Sequence, residues 1–416
     1  MSRWQRARGV HVPCDVLLAV DAYLPWSGGS RVYYHNLYRR LAHQHGLTIR
    51  VETSHCSGED QFDAASCSPH FDIRRDGERL TDWKSKRAPV LAQKLLHIVR
   101  AAVQTSPAAI HCGDLFPQDF AGLLLRKAAG LPFLVFVHGD EISQTDGRRL
   151  QPHVRNSIYR AADCVVAANS YAYDRAVAIC GSSERVTMIT PGVDCDAFRP
   201  GERPEWISRE FSLGDSPVIV TVARLVKKKG HETVLRSLPA VLKRVPDLKY
   251  LVVGEGPEEL KLKQLAAHLG IERHVRFAGN VPHPLLPDFY RAGDVFCMIN
   301  QQDASGDIES FGMVFIEASA SGKPVIGGRS GGTGQSIVEG QTGFLCEPCD
   351  SERLGHLLVM LLQRTALRQR MGEAGVLRAR GEFNWDLRAQ RLLELHRGIV
   401  ESKPRPLQRS QSCPAR

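Results

Sequence analysis

GDIESFGMVFIEASASGKPVIGG (306–328) decides how the rest of the chain is read. The polar turn GDIESFG ends near Gly312, an apolar run beginning at Met313 suits a helix, and PVIGG is a compact strand. Loop, helix and strand in that order belong to a βα repeat on a parallel sheet. Two carboxylates sit at different depths in it. Glu309 lies in the loop, whereas Glu317, flanked by Val314, Phe315, Ile316 and Ala318, lies more than a turn inside the helix. Positions eight apart on a continuous helix are separated by about 80° around its axis, so the pair would serve different atoms of one elongated ligand. A buried carboxylate needs a donor, and a ribose diol is a suitable one for Glu317. The backbone amides of Phe311, Gly312 and Met313 would face an anion, as helix N-termini do. The plainer reading of the same turn is that Ser310 caps the helix and Glu309 complements its dipole.

Outward from this unit, runs of Val, Ile and Leu alternate with helix-length stretches. In the first half strands are expected at 14–23, 47–53, 108–114, 132–139, 164–170 and 186–190, with helices over 30–45, 89–104, 117–129, 151–161 and 171–180. Residues 54–88, polar and rich in Cys, Asp and Ser, read as a long loop beside a crevice. PGVDCDAFRPGERPEW (191–206) is crowded with Pro and Gly and reads as a linker. A second series of strands follows at 217–223, 248–254, 274–279, 294–300, 324–328 and 343–346. The expected fold class is α/β: two Rossmann-like, doubly wound parallel-sheet domains, at 1–195 and 196–382, facing a central cleft. FNWDLRAQRLLELHRGIV (383–400) is an amphipathic helix, and the basic, proline-bearing tail 401–416 reads as disordered.

Composition narrows the function classes. At 416 residues the chain exceeds one ordinary core. No stretch reaches the roughly 18 consecutive apolar residues of a membrane span. Pro13 and Asp15 interrupt the segment that most resembles a signal peptide, so a cytoplasmic chain is expected. Eleven scattered cysteines read as small buried residues of a reducing compartment. Cys346 and Cys349 have metal-ligand spacing, but no second pair accompanies them, and no metal site is expected there. The net charge of +9 favours an anionic partner: a phosphate-bearing substrate, an acidic lipid surface or nucleic acid. Dispersed basic residues without a recognised module speak against nucleic acid. RVYYHNLYRRLAHQH (31–45) and KSKRAPVLAQKLLHIVR (84–100) are candidates for resting on an anionic membrane, or else amphipathic core helices.

Parallel sheets bind ligands at the carboxyl ends of their strands. After the first strand, Gly28, Gly29 and Ser30 open a helix, where backbone N–H groups can approach a phosphate; such turns also use Gly for conformation alone. His138 ends the strand 132–139, placed either to donate to a sugar hydroxyl or to serve structure. Arg224 and Lys229, five apart after 217–223, combine a guanidinium fork with a point-charge ammonium, a pairing suited to a diphosphate. A basic surface loop is the commoner meaning of such a run.

Together, GGS after the first strand, HGDE, PGVD with FRP, VARLVKKKG, VVGEGP, FAGNV, ESFGMVFIEA, KPVIGG and the closing FNW helix resemble the retaining GT-B glycosyltransferases of family 4. The resemblance covers the chain apart from 54–88 and the tail. Its most specific elements are the paired glutamates and the upstream Arg-x4-Lys. It implies transfer of a hexose (mannose, glucose or an N-acetylhexosamine) from a nucleotide diphosphate sugar to a hydroxyl of a glycan, lipid-linked or small-molecule acceptor. On that pattern Arg224 and Lys229 grip the diphosphate, Glu309 touches the transferred sugar, and Glu317 takes the nucleotide ribose. The amides of Phe311, Gly312 and Met313 hold donor sugar and phosphate, Asn280 and Val281 lie against the base, and Gly28 and Gly29 close on the phosphate from the first domain. His138 meets the sugar near the acceptor, and the helix 383–400 crosses back onto the first domain. Front-face substitution, with the departing diphosphate taking the acceptor's proton, requires no metal and no other cofactor. Asp194-Cys195-Asp196 matches a metal-binding DxD but falls in the interdomain segment and reads as structural. Many relatives carry a glutamate near the place of Gln335, which leaves the donor sugar unassigned. A catalytically silent, nucleotide-sugar-binding scaffold is the alternative; the intact Arg224, Lys229, Glu309, Glu317 and His138 argue against it. A dehydrogenase would need a G-x-G-x-x-G that opens neither half, and a PLP-dependent phosphorylase would be far larger.

Overall fold

The computed structural model describes residues 13–26, 28–78, 88–113, 116–139, 151–303 and 309–402. The expectations for the N-terminal tail, for 79–87, for Asp140 and Glu141 and for the end of the basic tail fall outside those residues.

Two all-parallel sheets carry the molecule. The first contains β1 (Val16–Ala19), β2 (Ile49–His55), β3 (Phe71–Glu78), β4 (Ala109–Cys112), β5 (Phe133–Val137), β6 (Cys164–Ala167) and β7 (Val186–Met188), in the order β3-β2-β1-β4-β5-β6-β7. The second contains β8 (Val218–Val222), β9 (Lys249–Val253), β10 (Val275–Gly279), β11 (Val295–Met298), β12 (Val325–Gly328) and β13 (Gly343–Cys346), in the order β10-β9-β8-β11-β12-β13. Helices cover both faces, which is why central strands are continuously apolar and not alternating. Val16 pairs with Ile49 on one side and Ala109 on the other, and all four residues of β1 are fully buried. This is the expected GT-B architecture of two doubly wound halves.

The described part of the stretch 54–88, residues 54–78, is not a long loop. It contains a helix, Glu59–Ser66, and the edge strand β3. Only Phe71 and Ile73 of that strand are buried hydrophobics. Its Arg75 instead donates two 2.8 Å hydrogen bonds to Asp63, tying the strand to the helix. An edge strand with one apolar face and a charged partner lacks the composition of a buried strand, which is why the polar letters concealed it. Another expectation also changes. Of the apolar residues of 31–45, Tyr33, Tyr34, Leu37, Tyr38, Leu41 and Ala42 are buried in the core of the first sheet and the half-buried Val32 packs against it, so the stretch forms an amphipathic core helix, the other of the two readings.

The final helix, Trp385–Glu401, packs into that same core through Trp385, Ala389, Leu392 and Leu393. Its entry is fixed where the Val193 N–H donates to the Phe383 carbonyl at 2.7 Å.

In each sheet the strand order reverses at one place, between β1 and β4 and between β8 and β11. Crevices open at such switch points, outside the carboxyl ends of the strands. The two crevices face one another. A Cβ on Gly29, after β1, would stand 3.7 Å from the sulfur of Met313, which opens the helix Met313–Ala320 after β11. Among the described residues no helix is long and apolar enough to cross a membrane.

Candidate active site

From the second sheet, β8 delivers Arg224, and a 3-10 turn, Lys227–Lys229, follows it. The loop after β11 is stitched to that turn: the Gln301 N–H donates to the Lys228 carbonyl at 2.8 Å and its side-chain amide to the Lys227 carbonyl at 3.1 Å. The stitching brings the two loops side by side, and the ammonium of Lys229 forms an ion pair with the carboxylate of Glu309. Burial would push the Glu309 carboxyl up, but the Lys229 charge and hydrogen bond, helped by Lys228 and the Gly312 amide, hold it below the usual carboxylate range.

The Glu309 loop is itself backed by a close approach of main chain. The Gly332 N–H donates to the Glu309 carbonyl at 2.9 Å. A Cβ on Gly331 would lie 2.1 Å from that carbonyl oxygen, and one on Gly332 would lie 2.0 Å from that of Ser310. The glycine pair of GGTGQS is thus a steric requirement of the Glu309 loop.

The helix Met313–Ala320 starts where the sequence indicated, with Gly312 at its N-cap in the left-handed region (φ 79°). Phe311 is buried, and the Gly312 amide is directed at Glu309. That amide therefore already holds a carboxylate, and the expectation of three amides open to an anion needs that correction. Glu317 is buried, as its apolar flanks indicated, but its donor is part of the protein. The Tyr290 hydroxyl donates to Glu317 Oε2 at 2.6 Å. Burial pushes the Glu317 carboxyl above the usual range, against the pull of the Tyr290 bond and of His283. A ribose is not needed to satisfy that oxygen.

Arg224 is exposed, and among the described residues its guanidinium has no carboxylate partner. Its carbonyl faces Nε2 of the buried His231 at 3.3 Å, so main chain beside the guanidinium is braced while the side chain projects outward. Asn280 is exposed and Val281 half-buried, directly after β10.

The first sheet contributes His138 at the end of β5. Its Nε2 lies 2.8 Å from the Tyr34 hydroxyl, and its carbonyl accepts from Asn169 Nδ2 at 2.7 Å. Burial lowers the imidazole to about 4, so it is neutral near pH 7. Gly28 and Gly29 form the N-terminus of the helix Gly29–His45, whose first turn carries no acidic residue.

A direct bridge joins the lobes. The Ser170 N–H, in the first turn of the helix Ser170–Cys180, donates to Gln335 Oε1 at 2.9 Å, and Gln335 Nε2 stands 3.5 Å from the sulfur of Met188. Sequence reasoning noticed Gln335 only as a departure from a pattern. It found neither Tyr290 nor Tyr34, because a tyrosine on an amphipathic helix carries no mark of its partner.

Asp194 of the DxD accepts from the main-chain amides of Asp196 and Ala197, both at 3.1 Å, and so closes a turn. Cys346 is buried and Cys349 exposed beside Gln301.

These features can be set beside known proteins. The model of Glycosyl transferases group 1 matches residues 202–378, and that of Glycosyltransferase Family 4 matches 27–197. The chain is 30% identical over 393 residues to the GDP-mannose-dependent alpha-(1-6)-phosphatidylinositol monomannoside mannosyltransferase of Mycolicibacterium smegmatis, covering 93% of this chain and all of that one. It is 28% identical to the D-inositol 3-phosphate glycosyltransferase of Kribbella flavida, over 90% of this chain and 92% of that one. Among solved structures, HepE of Anabaena in complex with UDP has the same fold, with a TM-score of 0.74 at 19% identity over 91% of this chain and 98% of that one. The chain belongs to glycosyltransferase family 4, the glycosyl transferases group 1, and is a GT-B hexosyltransferase that draws on a nucleotide sugar.

Proposed function

We propose that the protein is a retaining transferase that moves mannose from GDP-mannose to a hydroxyl of an inositol-phosphate-bearing acceptor, lipid-linked or soluble. Full-length similarity to a GDP-mannose-dependent phosphatidylinositol mannoside mannosyltransferase carries the donor and acceptor parts of this reading. The inositol 3-phosphate relative supports the same acceptor class. UDP-hexoses remain the second donor class, because HepE was solved with UDP.

In the proposed reaction the bond from the anomeric carbon to the diphosphate breaks as the acceptor oxygen attacks from the same face. The departing diphosphate takes the acceptor's proton. Lys229 and Arg224 neutralise the charge that grows on it, with the free amides at the start of Met313–Ala320 adding donors fixed in advance. Glu309 holds Lys229 in position and reaches the sugar hydroxyls; its ion pair argues against a role as nucleophile, whatever the analogy with paired carboxylates in glycosidases. Glu317 accepts from the nucleotide ribose, Asn280 and Val281 lie against the base, and Gly28 and Gly29 close over the phosphate. No step requires a metal or another cofactor.

The helix Ala88–Thr105 supports membrane contact. Leu96 and Val103 on it are exposed, at 47% and 71%, and Leu124 of the neighbouring helix is exposed with them. Arg100, four positions after Leu96 on the same helix, and Lys127, three after Leu124, are also exposed. Apolar side chains flanked by cations suit an anionic lipid surface.

The test is transfer of radiolabelled sugar from GDP-mannose, UDP-glucose and UDP-N-acetylglucosamine to phosphatidylinositol mannoside and to inositol phosphate, in EDTA. GDP-mannose alone should label an inositol-bearing product. Labelling only from a UDP sugar would overturn the donor assignment.

A further inference from the structure

Arg378 lies on the helix Thr365–Glu382 of the second domain, and its side chain is 18% exposed. Nη2 donates to the Gln335 carbonyl at 2.7 Å and Nη1 to the Ser336 carbonyl at 2.9 Å, so one fork holds two successive carbonyls. Nε donates to Glu382 Oε2 at 2.9 Å. The guanidinium carbon also stands 4.8 Å from the centre of the Phe383 ring. The carbonyl of that same phenylalanine takes the Val193 N–H where the chain crosses back toward the first domain.

Gln335 and Ser336 end a helix of only four residues, Thr333–Ser336. The last carbonyls of a helix have no amide within it, and a single turn is too short to hold its own direction. Arg378 supplies the missing donors, as a cation near a helix C-terminus does. The direction of that turn decides where the Gln335 side chain points, and its Oε1 accepts the Ser170 N–H of the other lobe at 2.9 Å. Asn169, the residue before Ser170, donates to the His138 carbonyl at 2.7 Å. A line of contacts therefore runs from the crossover, through Arg378 and Gln335, to the strand end that carries His138.

We propose that Arg378 is a positioning residue for lobe closure: its fork fixes the main chain at Gln335 and Ser336, aims the Gln335 amide oxygen at Ser170, and so sets the first lobe against the donor lobe. This goes beyond the reading of which sugar is transferred and rests on the bridge belonging to the form of the enzyme that turns over. Ser336 offers a competing route, because its hydroxyl donates to the Phe311 carbonyl at 2.5 Å, beside the Glu309 loop. A double substitution separates the two.

Arg378→Ala and Arg378→Lys should each lower kcat roughly two- to tenfold, as Gln335→Ala does, the scale of one net hydrogen bond. Lysine keeps the charge and most of the stem but cannot grip two carbonyls and stack at once. A role through charge or stem packing alone would therefore leave Arg378→Lys near wild type. In a Gln335→Ala background Arg378→Lys should cost no further kcat. It should still lower the melting temperature as much as in the wild type, because the carbonyls it releases are main chain and remain. Small-angle scattering without substrate should show both Arg378 variants as wide as Gln335→Ala. A wild-type kcat or a compact particle in Arg378→Lys would overturn the proposal. So would a kcat loss that adds to that of Gln335→Ala, which would place the effect in the Phe311 loop, or wild-type behaviour in Gln335→Ala itself, which would remove the bridge from closure. Absence of transfer from GDP-mannose would refute the donor assignment alone, since scattering and melting use no substrate.

Discussion

Lys229 and Glu309, 80 positions apart, form an ion pair whose side chains are only 14% and 16% exposed. The pair joins the turn after β8 to the loop after β11, across the point where the order of the second sheet reverses. A cation held by one carboxylate beside a helix N-terminus is aimed before any ligand arrives, so little reorganisation is needed as charge develops.

Lys229→Ala should therefore lower transfer by at least about a hundredfold, the scale of losing one fixed donor to a developing negative charge. Steady-state kinetics with circular dichroism as a folding control measure this. Glu309→Gln should also lower kcat, because Lys229 loses its anchor. The sign of the pH effect follows from the depressed Glu309 carboxyl. Its contribution to stability is complete above the ordinary carboxylate range and is lost as pH falls through the depressed folded value. Thermal melts from pH 7 downward should show wild type losing more stability than Glu309→Gln.

Glu317 has the opposite sign. Its folded carboxyl is raised by burial, so its ionised form opposes folding at neutral pH, and that penalty is relieved as pH falls through the raised value toward the ordinary one. A protonated Glu317 accepts less well from a ribose. Nucleotide affinity, measured by titration calorimetry, should fall as pH drops through the raised value. Tyr290→Phe, which removes the hydroxyl donor, should move that fall to higher pH and cost stability by about 1–3 kcal/mol.

Gln335 closes the two lobes on one another through the Ser170 N–H. Gln335→Ala removes the acceptor and should reduce kcat by roughly two- to tenfold, in line with one net hydrogen bond. Gln335→Glu keeps an acceptor at the same place and should retain most of the activity. Small-angle scattering should report a wider particle for the alanine variant alone.

Asp194 is a turn former, with two main-chain amides on one oxygen. Asp194→Asn should keep that oxygen and leave the transfer rate within about twofold, whereas Asp194→Ala should cost roughly 1 kcal/mol of stability with the rate again unchanged. Adding Mn²⁺ should not alter either rate. Metal-dependent activity lost in Asp194→Asn would return the DxD to catalysis.

The sequence and the structure agree where burial alone writes the pattern. Apolar runs such as VLLA in β1 and VIVTV in β8 mark strands covered on both faces, and the switch from loop to helix at Gly312 could be read from a single turn. Local spacing also brought Lys229 and Glu309 forward. What stayed hidden was partnership. Tyr290 and Glu317 are 27 positions apart, and Ser170 and Gln335 are 165 apart; periodicity carries no information about which polar groups meet. Edge strand β3 stayed hidden for a related reason, since Arg75 there is neutralised by Asp63 from another element.

The proposition underlying the mechanism is that Lys229 and Arg224, without divalent ions, neutralise the departing diphosphate. The most direct measurement is single-turnover sugar transfer in EDTA by the wild type, Lys229→Ala and Arg224→Ala. The account predicts full wild-type turnover under chelation and a loss of at least about a hundredfold in each variant, with folding intact. Transfer that survived both substitutions, or wild-type transfer that appeared only on adding a divalent metal, would contradict it.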